Sequence, residues 1–237
     1  MALPINSTPV YNLTVPSTGK QVNFRPFLIK EEKALMLAQQ SEDPRVMVES
    51  LKTVIKDCIK DPIDVNNLAV FDIEYIFTQI RSKSVGEIVE LMLRCDTCED
   101  EKAVAKVEVD LTSIEVKKDA SHTTNITLFD DVGVIMKYPT VELIKRLQNI
   151  DAANIDQVFD IVVECMESIF DSEQVWNAKD QTKAELLEFL NNLSSDQFEK
   201  IQQFFETMPR MQKQISYDCP VCGKHHDKVL EGLQSFF

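Results

Sequence analysis

Two Cys-X-X-Cys pairs, separated by a long stretch of chain, place the strongest constraint on how this sequence can fold. The pairs are Cys95–Cys98 and Cys219–Cys222, and 120 residues lie between them. Each pair stands between two strand-like segments, where a tight turn brings both thiols to one point, and Gly223 permits the second turn. Four thiolates form the closed tetrahedral ligand set of a structural zinc site. The expected cofactor is therefore one structural zinc, bound by Cys95, Cys98, Cys219 and Cys222.

The spacing of the two pairs departs from that of ordinary zinc ribbons, whose pairs are usually about 15–20 residues apart. Here a helical block separates them, so we expect a split ribbon that joins the middle of the chain to its C-terminus. A redox dithiol is a weaker alternative because the surrounding pattern is not thioredoxin-like. Two local disulfides are disfavoured in a cytosolic protein.

Histidines follow the second pair closely and raise the alternative of a catalytic zinc. His225 or His226 could act as a ligand, but such a site needs an open position and a nearby acid or base, and no such constellation is evident. We expect both histidine side chains either to lie beside the cysteine ligands without binding the metal or to be exposed. The sequence leaves open whether either one contributes to the metal site. The remaining cysteines, Cys58 and Cys165, lie on apolar helical stripes and are expected to be small buried side chains.

Composition and charge narrow the function classes. The 237 residues carry 25 Lys and Arg against 39 Asp and Glu, a net charge of −14, which disfavours nucleic acids and membrane surfaces as partners. With five glycines, the chain has no phosphate-binding loop, and it contains neither HExxH nor GxSxG. No apolar run reaches the length of a membrane span, and the N-terminus lacks a signal-peptide pattern. We therefore expect a protein without catalytic residues.

Hydrophobic periodicity predicts an α+β fold, with two blocks of helices, small antiparallel hairpins and the split ribbon-like cysteine site. Turn residues at 16–19 predict an N-terminal hairpin, and Asp43-Pro44 predicts the start of a helix. Four segments follow: 1–85, a hairpin plus helices; 86–138, a β region with the first cysteine pair; 139–212, a helical block; and 213–237, the second pair and a tail. They are expected to form one compact unit or two interlocked domains.

Two features late in the chain carry more specific expectations. One of the apolar helical stripes predicted within the 139–212 block is formed by Val158, Val162, Cys165, Met166 and Ile169. Phe204 and Phe205 are expected in the core. Phe236 and Phe237 end the chain, where docking onto a partner or a neighbouring subunit is the alternative to burial.

The order of several short motifs resembles the T4-like phage baseplate hub protein family over most of the chain. These motifs are Tyr11–Lys20, Phe24–Phe27, Lys30–Lys33, Phe71–Phe77, Arg81–Glu87, the Cys95/Cys98 pair and Phe204–Pro209. The resemblance implies a non-enzymatic structural or assembly protein of the hub of a contractile tail. Its partners would be other tail and hub proteins, with the tape-measure protein and a homo-oligomer as further options. It would act in the host cytoplasm during assembly and, if retained, reside in the virion baseplate.

Other functions remain as alternatives. The protein could be an assembly chaperone of the hub or tape-measure protein that is absent from the finished particle. A zinc-ribbon adaptor in transcription is a second alternative, because the charge of −14 permits binding to a polymerase or another basic protein. A cell-wall hydrolase with an unusual site is the third, and the sequence has neither HExxH nor a histidine paired with an Asp-bearing zinc pattern to support it.

Overall fold

The computed structural model describes residues 7–41, 43–98, 100–146 and 154–236. The chain forms two compact units: unit 1 combines Met1–Lys117 with Arg210–Phe237, and unit 2 is Lys118–Pro209. The chain thus leaves unit 1 and later returns to complete it. Within the described ranges, no helix is long and apolar enough to cross a bilayer. The division into four sequence segments stays a prediction.

Helices and small antiparallel sheets alternate along the chain, which confirms the α+β class. The first elements are β1 Tyr11–Thr14, β2 Gln21–Phe24, α1 Ile29–Gln39, α2 Pro44–Cys58, α3 Val70–Ser84, β3 Ile88–Arg94, β4 Val104–Asp110 and β5 Glu115–Lys117. Unit 2 contains β6 Asn125–Phe129, β7 Val132–Met136, α4 Val141–Arg146, α5 Ile155–Cys165, β8 Met166–Phe170, β9 Val175–Asn177, α6 Lys183–Asn191 and α7 Ser195–Thr207. Unit 1 ends with β10 Arg210–Asp218, β11 His225–Glu231 and a 3-10 turn, Leu233–Phe236.

The N-terminal part of unit 1 follows the sequence expectations. Strands β1 and β2 form an antiparallel hairpin around the predicted turn, where Gly19 adopts φ +67°. The carboxylate of Asp43 accepts a hydrogen bond from the Arg45 backbone N–H and so begins α2 as predicted. Two hydrogen bonds join the hairpin turn to α3, because the fully buried Asp72 accepts from the backbone N–H and the hydroxyl of Ser17.

A buried ion pair fixes the start of α1. Arg25 Nη2 lies 2.8 Å from Glu31 Oε1, and the Leu28 backbone N–H donates to the other oxygen of Glu31 at 2.7 Å. Burial by itself would raise the pKa of Glu31. The Arg25 guanidinium, the Leu28 N–H and Lys30 outweigh that effect and hold the pKa at about 2. The carboxylate therefore stays charged in the folded protein at neutral pH.

Two sheets complete unit 1 and share one apolar core. Strand β3 pairs along its whole length with β4, and β10 lies between β5 and β11. The core side chains are Val109, Leu111, Ile114, Met211, Ile215, Leu230 and Phe236. Phe236 is fully buried, so of the two possibilities left by the sequence the structure shows burial and not an exposed side chain available for docking. After Gly232, with φ +69°, the 3-10 turn folds the chain end back, and the Leu233 N–H donates to Glu74. Phe237 lies outside the described residues.

Unit 2 has its own core between a four-stranded antiparallel sheet, in the order β6-β7-β8-β9, and helices including α5, α6 and α7. Phe204 is buried there, as expected. The predicted helical block 139–212 is interrupted, however, because α5 ends at Cys165 and the chain continues as β8 and β9. Met166 and Ile169 share the helical spacing of the stripe, yet they pair with β7 as strand residues. Pairing with an existing sheet edge outweighs the weak local preference for continuing the helix.

Candidate metal centre

The first cysteine pair lies in the turn that joins β3 to β4. Cys95 is the residue directly after β3, and its backbone N–H donates to the Ala103 carbonyl at 2.8 Å. The Ala103 N–H in turn donates to Asp100 O at 3.0 Å, which closes the loop. Both Cys95 and Ala103 are buried, and Cys98 is half-buried beside them. The full-length pairing of β3 with β4 thus fixes where these two thiols lie.

The second pair lies in the turn between β10 and β11. The Cys219 N–H donates to Lys224 O at 2.9 Å, and the Gly223 N–H donates to Cys219 O at 2.9 Å. Gly223 has φ +71°, a conformation that favours glycine, so the turn depends on it as expected. The backbone N–H groups of Val221 and Cys222 point at Cys219 Sγ, at 3.4 and 3.5 Å. Such N–H groups stabilise negative charge on a sulfur ligand.

The fold brings all four thiols together, with every sulfur within 4.8 Å of every other. Cys95 and Cys222 are 3.9 Å apart at Sγ, and Cys98 and Cys219 are 3.8 Å apart. A tetrahedron with metal–sulfur bonds of about 2.3 Å has edges of about 3.8 Å. Sulfur atoms in a disulfide would be about 2.05 Å apart. The distances therefore fit a tetrahedral cation site and do not fit either local or crossed disulfides.

The electrostatics of the four sulfurs also favour a bound cation. The Thr97 hydroxyl, 3.3 Å away, and nearby backbone N–H groups lower the pKa of Cys95 to about 5. Contact with Cys222 has the opposite effect on Cys98 and raises its pKa to about 12. Neighbouring thiolates repel one another, so without a cation the ionisation of one sulfur suppresses that of the next. A divalent cation would remove that conflict, and four sulfur ligands favour zinc.

His226 occupies a position that the sequence left open. Its side chain is buried and stacked on Tyr217, with ring centroids 5.0 Å apart. Its Nε2 lies 3.2 Å from Cys95 Sγ, and its Nδ1 lies 4.0 Å from a carboxylate oxygen of Asp96. The adjacent His225 is exposed and contacts Asp218 at 2.7 Å. The alternation of side chains along β11 separates the two histidines, so that only His226 reaches the cysteine cluster.

Comparison of the sequence with known proteins identifies the family to which the chain belongs. The sequence model of a family described as T4 bacteriophage base plate protein matches residues 8–237. The chain belongs to this base plate family. This membership confirms the resemblance that the sequence motifs indicate. Among related proteins, the Baseplate hub assembly protein gp26 of Enterobacteria phage T4 is 24% identical over 228 residues, which cover 96% of this chain and 97% of that protein. No solved structure matches the chain.

The other two cysteines of this base plate protein lie outside the four-sulfur cluster. Cys58 and Cys165 are fully buried, as the sequence indicates, and Arg25 Nη1 lies 3.7 Å from Cys58 Sγ. Burial raises the pKa of Cys58 to about 11 and that of Cys165 to about 12. Both thiols therefore stay protonated at neutral pH and act as apolar core groups. They provide natural controls for experiments on the four-cysteine site.

The third histidine lies in unit 2, and its role was missed at the level of sequence. His122 Nδ1 is 3.0 Å from Thr207 Oγ1, its Nε2 is 3.0 Å from the Tyr138 hydroxyl, and its ring stacks against Tyr138 and Phe204. Burial lowers the pKa of His122. A neutral imidazole that satisfies two hydroxyl groups within an aromatic stack is a structural arrangement. No periodicity or motif around a single histidine could have predicted it.

Proposed function

We propose that this protein is a non-enzymatic structural or assembly protein of a phage baseplate hub, which acts through contacts with other tail proteins. The observation that carries the proposal is the alignment of nearly the whole chain with nearly the whole of a relative named as a hub assembly protein. Agreement along both full lengths favours a shared role over a shared domain in proteins of different function. The family match over residues 8–237 supports the same conclusion.

The partners that we propose are other hub proteins and the tape-measure protein, which the chain would meet in the host cytoplasm during tail assembly. A net charge of −14 favours partner surfaces that carry basic residues, because complementary charge increases association rates. Once the hub is complete, the protein either stays in the baseplate or leaves as an assembly factor.

Quantitative mass spectrometry of infected lysate and purified particles tests this function. A constant whole-number ratio to known tail proteins in particles identifies a built-in subunit. Abundance in lysate with absence from particles identifies an assembly factor. A phage that lacks the gene should fail to form infectious tails, and the intact chain supplied in trans should restore them. Infectious particles with normal baseplates in the absence of the chain would contradict the proposal.

Within this role, we propose that Cys95, Cys98, Cys219 and Cys222 hold one structural zinc. Zinc would supply the positive charge that allows the four sulfurs to approach as thiolates, and it would join the β3–β4 turn to the β10–β11 turn. Two sulfur–sulfur distances of 3.9 and 3.8 Å, each close to a tetrahedral edge, support this, and all four sulfurs lie within 4.8 Å of one another.

Metal analysis of the purified chain tests the zinc proposal directly. One zinc per chain is expected, and Cys219→Ser with Cys222→Ser should abolish it. Cys165→Ala is the matched control, since Cys165 is buried in unit 2 and lies outside the cluster. Zinc that persists in the double variant, or its absence from wild-type protein prepared without chelator, would contradict the assignment.

A further inference from the structure

One edge of strand β3 is open. β3 pairs with β4 through all seven of its residues, without a bulge, and no other strand in the described parts of the chain pairs with it. Two apolar side chains of this strand, Ile88 and Met92, are 55% and 67% exposed. Proteins usually protect such an edge with proline, a bulge or a covering segment, because its free N–H and C=O groups recruit further strands. β3 has neither proline nor bulge.

An apolar groove of about 670 Å³ lies beside the same strand. It is lined by side chains from α1, α2, α3, β3 and the C-terminal 3-10 turn, all within unit 1. Strand β3 contributes Val89, Glu90 and Leu91, whereas no residue of β4 is among the lining side chains. The groove therefore lies on the open side of β3. A strand added at that edge would direct every second side chain toward the groove.

Charge within the groove indicates the chemistry of its occupant. Glu32, Glu90 and Arg81 are the charged side chains that line it. Glu90 is paired with Lys106 at 2.6 Å, and Arg81 also has an interaction partner within the chain. Glu32 is half-buried, and none of the described residues forms an ion pair or a hydrogen bond with its carboxylate. The neighbouring Glu31, by contrast, is paired with Arg25. A cationic side chain on the occupant would stabilise this half-buried carboxylate, because partial burial strengthens the electrostatic attraction between opposite charges. Most other lining side chains are apolar and include Met36 and Met47, whose flexible side chains adapt to a bound surface.

We propose that the open edge of β3 and this groove bind an extended segment of another phage protein by β-strand addition. Alternate apolar side chains of that segment fill the groove, and one lysine or arginine pairs with Glu32. Main-chain hydrogen bonds to β3 supply affinity, and the groove selects the sequence. The inference rests on the proposed function in one respect, namely that the segment belongs to a tail protein.

Site-specific photo-crosslinking in infected cells tests where a partner lies. Val85 lines the groove and is 61% exposed, and Val229 on β11 is 52% exposed and outside the groove. A benzophenone amino acid at position 85 should give an adduct whose crosslinked peptide is an apolar segment of a tail protein with a basic residue. The same probe at position 229 should not give this adduct. An adduct with a second copy of this chain, or none at position 85, would overturn the proposal.

Binding measurements with the crosslinked segment, synthesised as a peptide, test the mode of recognition. Val85→Glu should weaken its affinity for the purified full-length chain by at least about tenfold, because a carboxylate is placed in an apolar contact. Val229→Glu is the matched control and should leave the affinity unchanged. Glu32→Lys should also weaken binding, and exchange of the basic residue of the peptide for glutamate should restore it.

Hydrogen exchange of β3 amides distinguishes strand addition from other modes. The peptide should slow exchange in β3, and unchanged exchange with bound peptide would refute strand addition. Gene deletion distinguishes a failure of the proposed function from a failure of the strand-addition proposal. Normal tails without the chain would contradict the proposed function, whereas failed tails with a groove that binds no segment would contradict only this inference.

Discussion

Removing zinc should destabilise unit 1 by several kcal/mol and leave unit 2 folded. The four ligands come from two turns that the unfolded chain holds far apart. Closing the 120-residue loop between the cysteine pairs costs about 4.9 kcal/mol by the chain-entropy relation for cross-links. If unit 2 stays folded, only the 19 residues 99–117 and the nine residues 210–218 are flexible, and the cost falls to about 3.6 kcal/mol. Folded unit 1 has already met this cost, so the proposed zinc should bind folded unit 1 more tightly than it binds the unfolded chain.

Urea unfolding with and without a chelator measures this difference. Trp176 is the sole tryptophan of the sequence and packs against the core of unit 2, so its fluorescence follows unit 2. Far-UV circular dichroism follows both units. With excess zinc, the unit 1 transition should be more stable than the apo transition by at least about 3.6 kcal/mol. The Trp176 transition should hardly move.

Two results would refute this reasoning. A zinc-dependent gain below about 1 kcal/mol would show that the metal does not join the two turns, because loop closure alone exceeds that value. An equal shift of the Trp176 transition would show that unit 2 does not fold independently. Cys165→Ala gives the reciprocal control. It removes a buried group from unit 2, so it should shift the Trp176 transition without changing zinc content.

Three further outcomes are expected. His226→Phe keeps the ring stack but removes the ring nitrogen that contacts Cys95 Sγ, so affinity for the proposed zinc should fall roughly 10–100-fold in chelator competition, and His226→Gln should recover part of it. Glu31→Gln should lower the free energy of unfolding by roughly 3 kcal/mol at pH 7. The folded pKa of Glu31 is about 2, below the ordinary value of 4.5, so this difference should vanish as pH falls from 4.5 to 2 in acid titrations. Gly133→Ala would place a Cβ 2.6 Å from the Ile126 carbonyl oxygen. This clash should lower the free energy of unfolding of unit 2, followed by Trp176 fluorescence, by about 1–3 kcal/mol.

Local signals explain why parts of the fold could be predicted from the sequence. A turn with glycine and a proline at the start of a helix act over three or four residues. Accordingly, the N-terminal hairpin and the start of α2 lie where the sequence places them. The approach of the two distant Cys-X-X-Cys pairs was also predictable, because one pair provides only two of the four sulfur ligands that a structural zinc site needs. The structure brings the sulfurs together, and the metal stays a proposal.

Non-local contacts explain the rest. The boundary between α5 and β8 depends on β7, which pairs with Ile169 from a distant part of the chain. Burial of Phe236 depends on a core built from β4, β10 and β11, and no feature of a C-terminal Phe-Phe sequence encodes that core. The contact of His226 with Cys95 likewise requires the two turns to be in place first. The open edge of β3 is evident only from which strands pair.

Contacts that join the two parts of unit 1 include the following three. β10, from the C-terminal part, pairs with β5, from the N-terminal part; Cys219 and Cys222 approach Cys95 and Cys98; and Phe236 enters a core that Val109 and Leu111 share. A chain that stops before residue 210 has none of these contacts. Unit 1 therefore reaches its final form only after the last residues of unit 1 are synthesised. Since the groove beside β3 uses Leu233 and Phe236 as lining residues, the surface that we propose for partner binding exists only in the completed chain.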